Sequence, residues 1–201
     1  MGHNVNLHKP QRGDKMGLMR HAEQNAKEAL ARHVSESASQ RKLLRGVAEA
    51  FGLDSAPDRI EVFDNSHLQG TNQLGGMIVA GPDGFMKNQY RKFNIKDETT
   101  RPGDDYAMMR EVFTRRYGRL AREENRESAA WPDLVLVDGG RGQLNIAREV
   151  MVELGLEDVP LVGIAKGPDR DAGRERFFMQ GRADFMMPHN SPVLYYLQRL
   201  R

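Results

Sequence analysis

The sequence contains no cysteine. Neither a disulfide nor a thiolate zinc site can therefore be built, and a cytosolic, cytoplasmic setting is the expectation. No apolar run approaches the roughly 20 residues of a membrane span, and the opening "MGHNVNLHKPQRGDK" has no hydrophobic signal core. A soluble, unexported chain with no membrane partner is expected. A strong charge of one sign is also lacking, because 30 Lys and Arg nearly balance 28 Asp and Glu, for a net +2. This excludes a polybasic tail that binds nucleic acid by charge alone.

What is present is local. Arginine interleaves with aromatic or apolar residues in "KNQYRKF" (87–93), "RRYGRLAR" (115–122) and "RDAGRER" (170–176). Each patch reads equally as a solvated charged face and as a phosphate-binding surface; Arg91 and Arg116 are the candidates that the first two supply.

A length of 201 residues suits one ordinary domain with an appendage. Residues 1–58 read as a helical lead-in or linker. Its start is broken by Pro10 and Gly13, "RKLLRGVAEAFGL" places Leu43, Leu44, Val47 and Phe51 on one helical face, and Gly52 is the stop signal. Residues 59–201 form the main domain. "RIEVFD", "LGGMIVA" and "MKNQYRKFNI" read as three antiparallel strands, the last two joined by "GPDG". A helix follows, capped by Asp104, with Met109, Val112, Phe113, Tyr117 and Leu120 on its inner face.

"WPDLVLVDGG" is a short, wholly apolar run, as expected of a strand buried on both faces. "QLNIAREVMVELGL" is then a helix with Leu144, Ala147, Val150, Met151 and Leu154 inward, and "VPLVGIAKG" a further buried strand, which makes a parallel strand–helix–strand unit. A hairpin around Gly181 and a helix starting at Ser191-Pro192, still running at Arg201, complete the pattern. The predicted fold class is α/β, a mixed five-stranded sheet flanked by helices with a helical N-terminal lead-in. A ribonuclease H-like sheet requires this order, and other α/β folds share pieces of it.

Ligands gather at the carboxyl ends of neighbouring strands in such sheets. Asp64 and Asp138 each end a predicted strand, so if the first and fourth strands are neighbours, the two carboxylates converge and can hold one or two divalent cations through oxygen. Such a cation could activate water and stabilise charge developing on a phosphate. An Asp before Gly-Gly is also a common turn or helix cap. His67, three residues past Asp64, suits a metal ligand or general base and equally a side chain that holds the turn. Glu111 is a minor third carboxylate, about 200° round the helix from Met109. The glycines of "DGGRGQL" precede a helix whose amides could meet a phosphate, with Arg141 beside them. Without strict phosphate-loop spacing, triphosphate binding is not expected. Lys166 ends the next strand and reads as a phosphate contact or as a plain strand-end lysine.

Taken together, "IEVFDNSHLQGT", "YRKFNI", "DDYAMMREVFTRRY", "PDLVLVDGGRGQL" and "GIAKG" resemble the carboxyl-terminal endonuclease region of the UvrC family, the incision subunits of the bacterial excinuclease of nucleotide excision repair. "KPQRGDK" and "EQNAKEAL" resemble the stretch before that region. The resemblance implies a ribonuclease H-like endonuclease that uses magnesium or manganese and an Asp, Asp, His site to cut damaged duplex DNA on the 5′ side of a lesion. Asp64 matches the first aspartate and Asp138 the second. The third member is a histidine in an Asp-Glu-Ala-His segment just past "SPVLYYLQRLR"; these 201 residues do not contain it, and neither His67 nor His189 takes its place. Asn65 departs from a position that is often apolar in relatives. The family's other parts, a nuclease domain for the 3′ incision, a segment that contacts UvrB and tandem helix-hairpin-helix motifs, also lie outside this sequence. The expectation is a metal-dependent endonuclease domain that can be inactive in isolation, and the alternative is a non-catalytic module of the same fold that binds DNA or protein.

Overall fold

The computed structural model describes residues 10, 12–68, 72–95, 104–167 and 174–201, with backbone alone for Asp14, 65–68 and 72–73. The residues at 170–173 of the third arginine patch lie outside the described residues. The chain divides into two compact units, Met1–Ser39 and Gln40–Arg201. In the first, the helix α1 (Asp14–Phe51) leaves Leu18, Leu30 and Val34 exposed and carries an i,i+4 pair between Lys27 and Glu23 at 2.8 Å. No described helix is long and apolar enough to cross a membrane.

In the second unit, Gly52 ends α1 with a φ of +69°, the left-handed geometry that glycine adopts without steric cost, and Leu53 N–H donates to Ala48 O. The sheet then forms from β1 (Ile60–Leu68), β2 (Asn72–Gly81), β3 (Gly84–Phe85), β4 (Arg91–Asn94), β5 (Leu134–Asp138), β6 (Leu161–Ala165), β7 (Arg176–Phe178) and β8 (Phe185–Met186). Its order is β3-β2-β1-β5-β6-β7-β8, with β4 paired to β2. The meander pairs are antiparallel, β1–β5 and β5–β6 are parallel, and β7 and β8 return antiparallel.

Two differences from the sequence reading have physical causes. The third expected strand is split: Met86 N–H still bonds to Val79 O, but a 3-10 turn at Lys87–Gln89 follows while Met86 tucks its side chain against the core. Only Arg91–Asn94 then pairs with β2. The sheet also runs past five strands, because the hairpin around Gly181 adds β7 and β8 to the edge of β6.

Side chains alternate across a strand, so each sheet face can be assigned by parity. Phe63, Val135 and Val137 pack with α2 (Asp105–Glu123) and α3 (Arg141–Glu153). Ile60, Val62, Leu134, Leu136, Val162 and Ile164 pack on the other face with Leu44, Val47 and Phe51 of α1 and Leu194, Leu197 and Leu200 of α4 (Pro192–Leu200). The caps follow the sequence signals: Asp104 accepts from Ala107 N–H at 3.0 Å and Ser191 from Leu194 N–H at 3.4 Å.

A sheet covered on both faces forces Glu61 inward on β1, where it is fully buried. Arg59 donates to it at 2.8 and 2.9 Å, Tyr117 Oη donates at 3.0 Å, and Arg116 completes the cluster. Burial, then the Glu61 carboxylate, pushes the Tyr117 phenol well above its usual pKa, so it stays protonated and donates.

Candidate metal and nucleic-acid site

The strand register puts the two predicted carboxylates together. Phe63 pairs with Val137 at the last position of the parallel β1–β5 ladder, so Asp64 and Asp138 are the next residues along adjacent strands. Asp138 ends β5, but Asp64 does not end its strand as expected, because β1 runs on to Leu68 paired with β2 alone. Their backbones are about 4.8 Å apart by strand spacing. Both have the parity of Ile60, Val62, Leu134 and Leu136, which places them on the α1/α4 face. Asp64 is exposed and Asp138 partly so.

Asp138 is engaged by a residue that the sequence reading missed. Arg201 Nη2 lies 2.6 Å from Asp138 Oδ1, with side-chain exposures of 14% and 21%. Helix α4 delivers the guanidinium: Leu194, Leu197 and Leu200 are buried in the core, and Arg201 N–H donates to Leu197 O at 3.2 Å. A signal was present in the sequence, because Arg201 follows Leu194 by seven residues and Leu197 by four, which puts a charge on the apolar stripe of the helix. Glu175 was missed in the same way. It precedes the buried Phe177 by two residues, is itself buried, and accepts from Gln198 Nε2 through both oxygens at 2.9 Å. Gln198 and Arg201, three apart on α4, thus both reach acidic groups on this side of the sheet.

The remaining candidates separate. Lys166 is exposed, two residues beyond Ile164, which is the β6 partner of Asp138, so it stands at the same sheet edge. Arg141 opens α3 three residues past Asp138; its Nη2 contacts Asp184 Oδ1 at 2.9 Å at the mouth of a cleft of about 660 Å³ between α3 and the β7–β8 hairpin. Gly139 N–H donates to Ile164 O and Gly140 N–H to Gln143 Oε1, so the two glycine amides expected to meet a phosphate are used within the protein. Gly142 has another reason to lack a side chain, because a Cβ there would run into the Tyr106 ring and hydroxyl.

Glu111 lies on α2, which covers the opposite sheet face, and bonds to Arg115 at 2.8 Å. Arg116 is committed to Glu61, three residues before Asp64 on β1, and to Ala130 O. Arg91 is exposed on β4 and donates to Tyr90 O at 2.8 Å. His67 pairs through its backbone with Gln73, and its side chain lies outside the described residues.

Among the described residues no three acidic or histidine side chains cluster as a metal cage. Two adjacent carboxylates nevertheless suit a hard divalent cation that completes its shell with water and phosphate oxygen, as magnesium and manganese do. The Arg201 guanidinium already stands as a cation against one of them.

Residues 48–201 match the model described as the UvrC RNAse H endonuclease domain, and residues 1–33 the UvrC Ribonuclease H-like domain. Proteins called UvrABC system protein C are similar over the whole chain: 61% identical in Rhodospirillum rubrum, 60% in Paramagnetospirillum magneticum and 61% in Caulobacter vibrioides. The chain spans about a third of their lengths, 32%, 32% and 31%. Among solved structures, a Ciona intestinalis endonuclease V bound to an inosine-containing DNA aligns over 67% of this chain and 57% of its own at 16% identity and a TM-score of 0.41. The chain belongs to the UvrC family, and its residues 48–201 are that family's ribonuclease H endonuclease domain.

Proposed function

We propose that this domain hydrolyses a DNA phosphodiester with the help of magnesium or manganese, and that in the longer protein it makes the 5′ incision beside a lesion during nucleotide excision repair. The observation that carries this reading is the adjacency of Asp64 and Asp138 on one sheet face, each one residue past the last pair of the parallel β1–β5 ladder. UvrB and damaged duplex DNA are the partners proposed for the whole protein, in keeping with the UvrABC naming of its relatives.

Asp64 and Asp138 would hold the cation, which when bound supplies charge to stabilise the transition state and to acidify an attacking water. The chain's own task is orientation. The β1–β5 ladder runs up to both aspartates and would align them, and Lys166 at the same edge would provide a point charge for a phosphate oxygen. Arg141, and with less support Arg91, would hold phosphates further along the strand, positioning it without reading sequence.

The test is calorimetric titration of manganese into the protein and into folded Asp64→Asn and Asp138→Asn variants. The parent should bind, and each variant should lose binding by at least about tenfold, since each removes one of two charged ligands. Binding by the parent that both variants retain would reject a shared metal site at these aspartates.

A further inference from the structure

We propose that Arg201, which pairs with Asp138, is a substrate-contacting residue that passes to the phosphodiester when a divalent cation takes that carboxylate. This inference rests on the metal-site reading above. Three observations carry it. The Arg201–Asp138 contact at 2.6 Å is largely sheltered from water, so it occupies a carboxylate oxygen that a cation needs. The guanidinium reaches the site from α4, whose Leu197 and Leu200 are buried and whose Gln198 is fastened to Glu175, so its position is built into the fold. Its location on the α1/α4 face is shared by Asp64 and Asp138, where a phosphate approaching both would meet it.

The chemistry follows from competition. A doubly charged cation outcompetes a single guanidinium for a carboxylate pair, and the released fork matches phosphate oxygens in a two-point geometry that lysine cannot reproduce. Removing Arg201 therefore has opposite effects on two ligands. Manganese alone binds more tightly, because its competitor has gone; DNA in the presence of manganese binds more weakly, because a phosphate contact has gone. A residue that merely props Asp138 in place would weaken both.

The experiment uses the chain with Arg201→Gln and Arg201→Lys. Manganese affinity is measured by calorimetry, and binding of a fluorescein-labelled DNA duplex by anisotropy with and without manganese. Arg201→Gln is expected to bind manganese severalfold, up to roughly tenfold, more tightly, because the competing ion pair has gone. It is expected to lose severalfold in DNA affinity with manganese present and little without it, with Arg201→Lys intermediate in the DNA measurement. Manganese binding by the variant and not by the parent would also support the proposal, as the extreme of the same competition. Unchanged or weaker manganese binding in Arg201→Gln, with a parent that binds, overturns it and leaves the metal site standing. If neither protein binds manganese, the metal-site reading fails, and this inference with it.

Discussion

Glu61 is the residue whose environment most constrains this fold. In "RIEVFD" the alternation suggests a polar residue turned to solvent, yet helices cover both faces of the sheet and the carboxylate is fully buried among Arg59, Arg116 and Tyr117. That also explains why the arginine patch at 115–122 could not be interpreted from sequence. A guanidinium bound for phosphate and one bound for a carboxylate 55 residues away look alike in one dimension. The end of β5 at Asp138 was legible because a strand's carboxyl end is a local feature, whereas the continuation of β1 past Asp64 is set by its pairing with β2, and the contact of Arg201 with Asp138 by where α4 packs. Replacing Glu61 by Ala strands the buried Arg59 and the partly buried Arg116, so the protein should lose about 3–5 kcal/mol of unfolding free energy in a denaturant titration. A loss below about 1 kcal/mol would mean that water or a rearranged partner satisfies both arginines.

Among the elements, those with a strong period or a chemical stop signal were readable in advance: α2 with its Asp104 cap, α3 with its four buried apolar residues, and β5 as a wholly buried run. The segment 86–95 was not, since its strand propensity loses to the burial of Met86 and the turn that this requires. Helix α4 supports a prediction of its own. Burial raises the Tyr196 pKa to about 12, opposed by a hydrogen bond that it accepts from Gln40 at 3.0 Å, while burial holds Tyr117 on α2 well above 10. A phenol whose folded pKa exceeds its unfolded value of about 10 contributes stability that is complete below pH 10 and fades as pH climbs through the folded value. Thermal unfolding should therefore be insensitive to these two groups up to about pH 10 and fall steeply between about 10 and 12, with Tyr196 responsible for at most about 2–3 kcal/mol. Tyr117→Phe with Tyr196→Phe, each costing about 1 kcal/mol of hydrogen bonding at neutral pH, should flatten that alkaline slope. An unchanged slope in the double variant would assign alkaline unfolding to other groups.

At the scale of the whole molecule, the question is where the folding unit begins. The turn residues "DSAPD" made residue 58 a natural boundary in the sequence, and a lead-in ending there is one proposal. The two core clusters draw their residues from Leu44 to Leu200, and Leu44, Val47 and Phe51 pack against Ile60, Val62, Leu134 and Leu136 beneath the face that carries the aspartates. A chain starting at Glu36 keeps all of these contacts and should match the full chain in both melting temperature and manganese affinity. A chain starting at Arg59 discards four buried apolar residues, three of them large. At about 1.5–3 kcal/mol for each large side chain, the loss is comparable to the 5–15 kcal/mol that holds a typical domain together. That shorter chain should bind a dye specific for exposed apolar surface, melt without cooperativity and fail to bind manganese, because the β1–β5 ladder that aligns Asp64 with Asp138 no longer has its cover. Cooperative melting and intact manganese binding from Arg59 onward would instead place the boundary at residue 58 and leave α1 outside the folding unit.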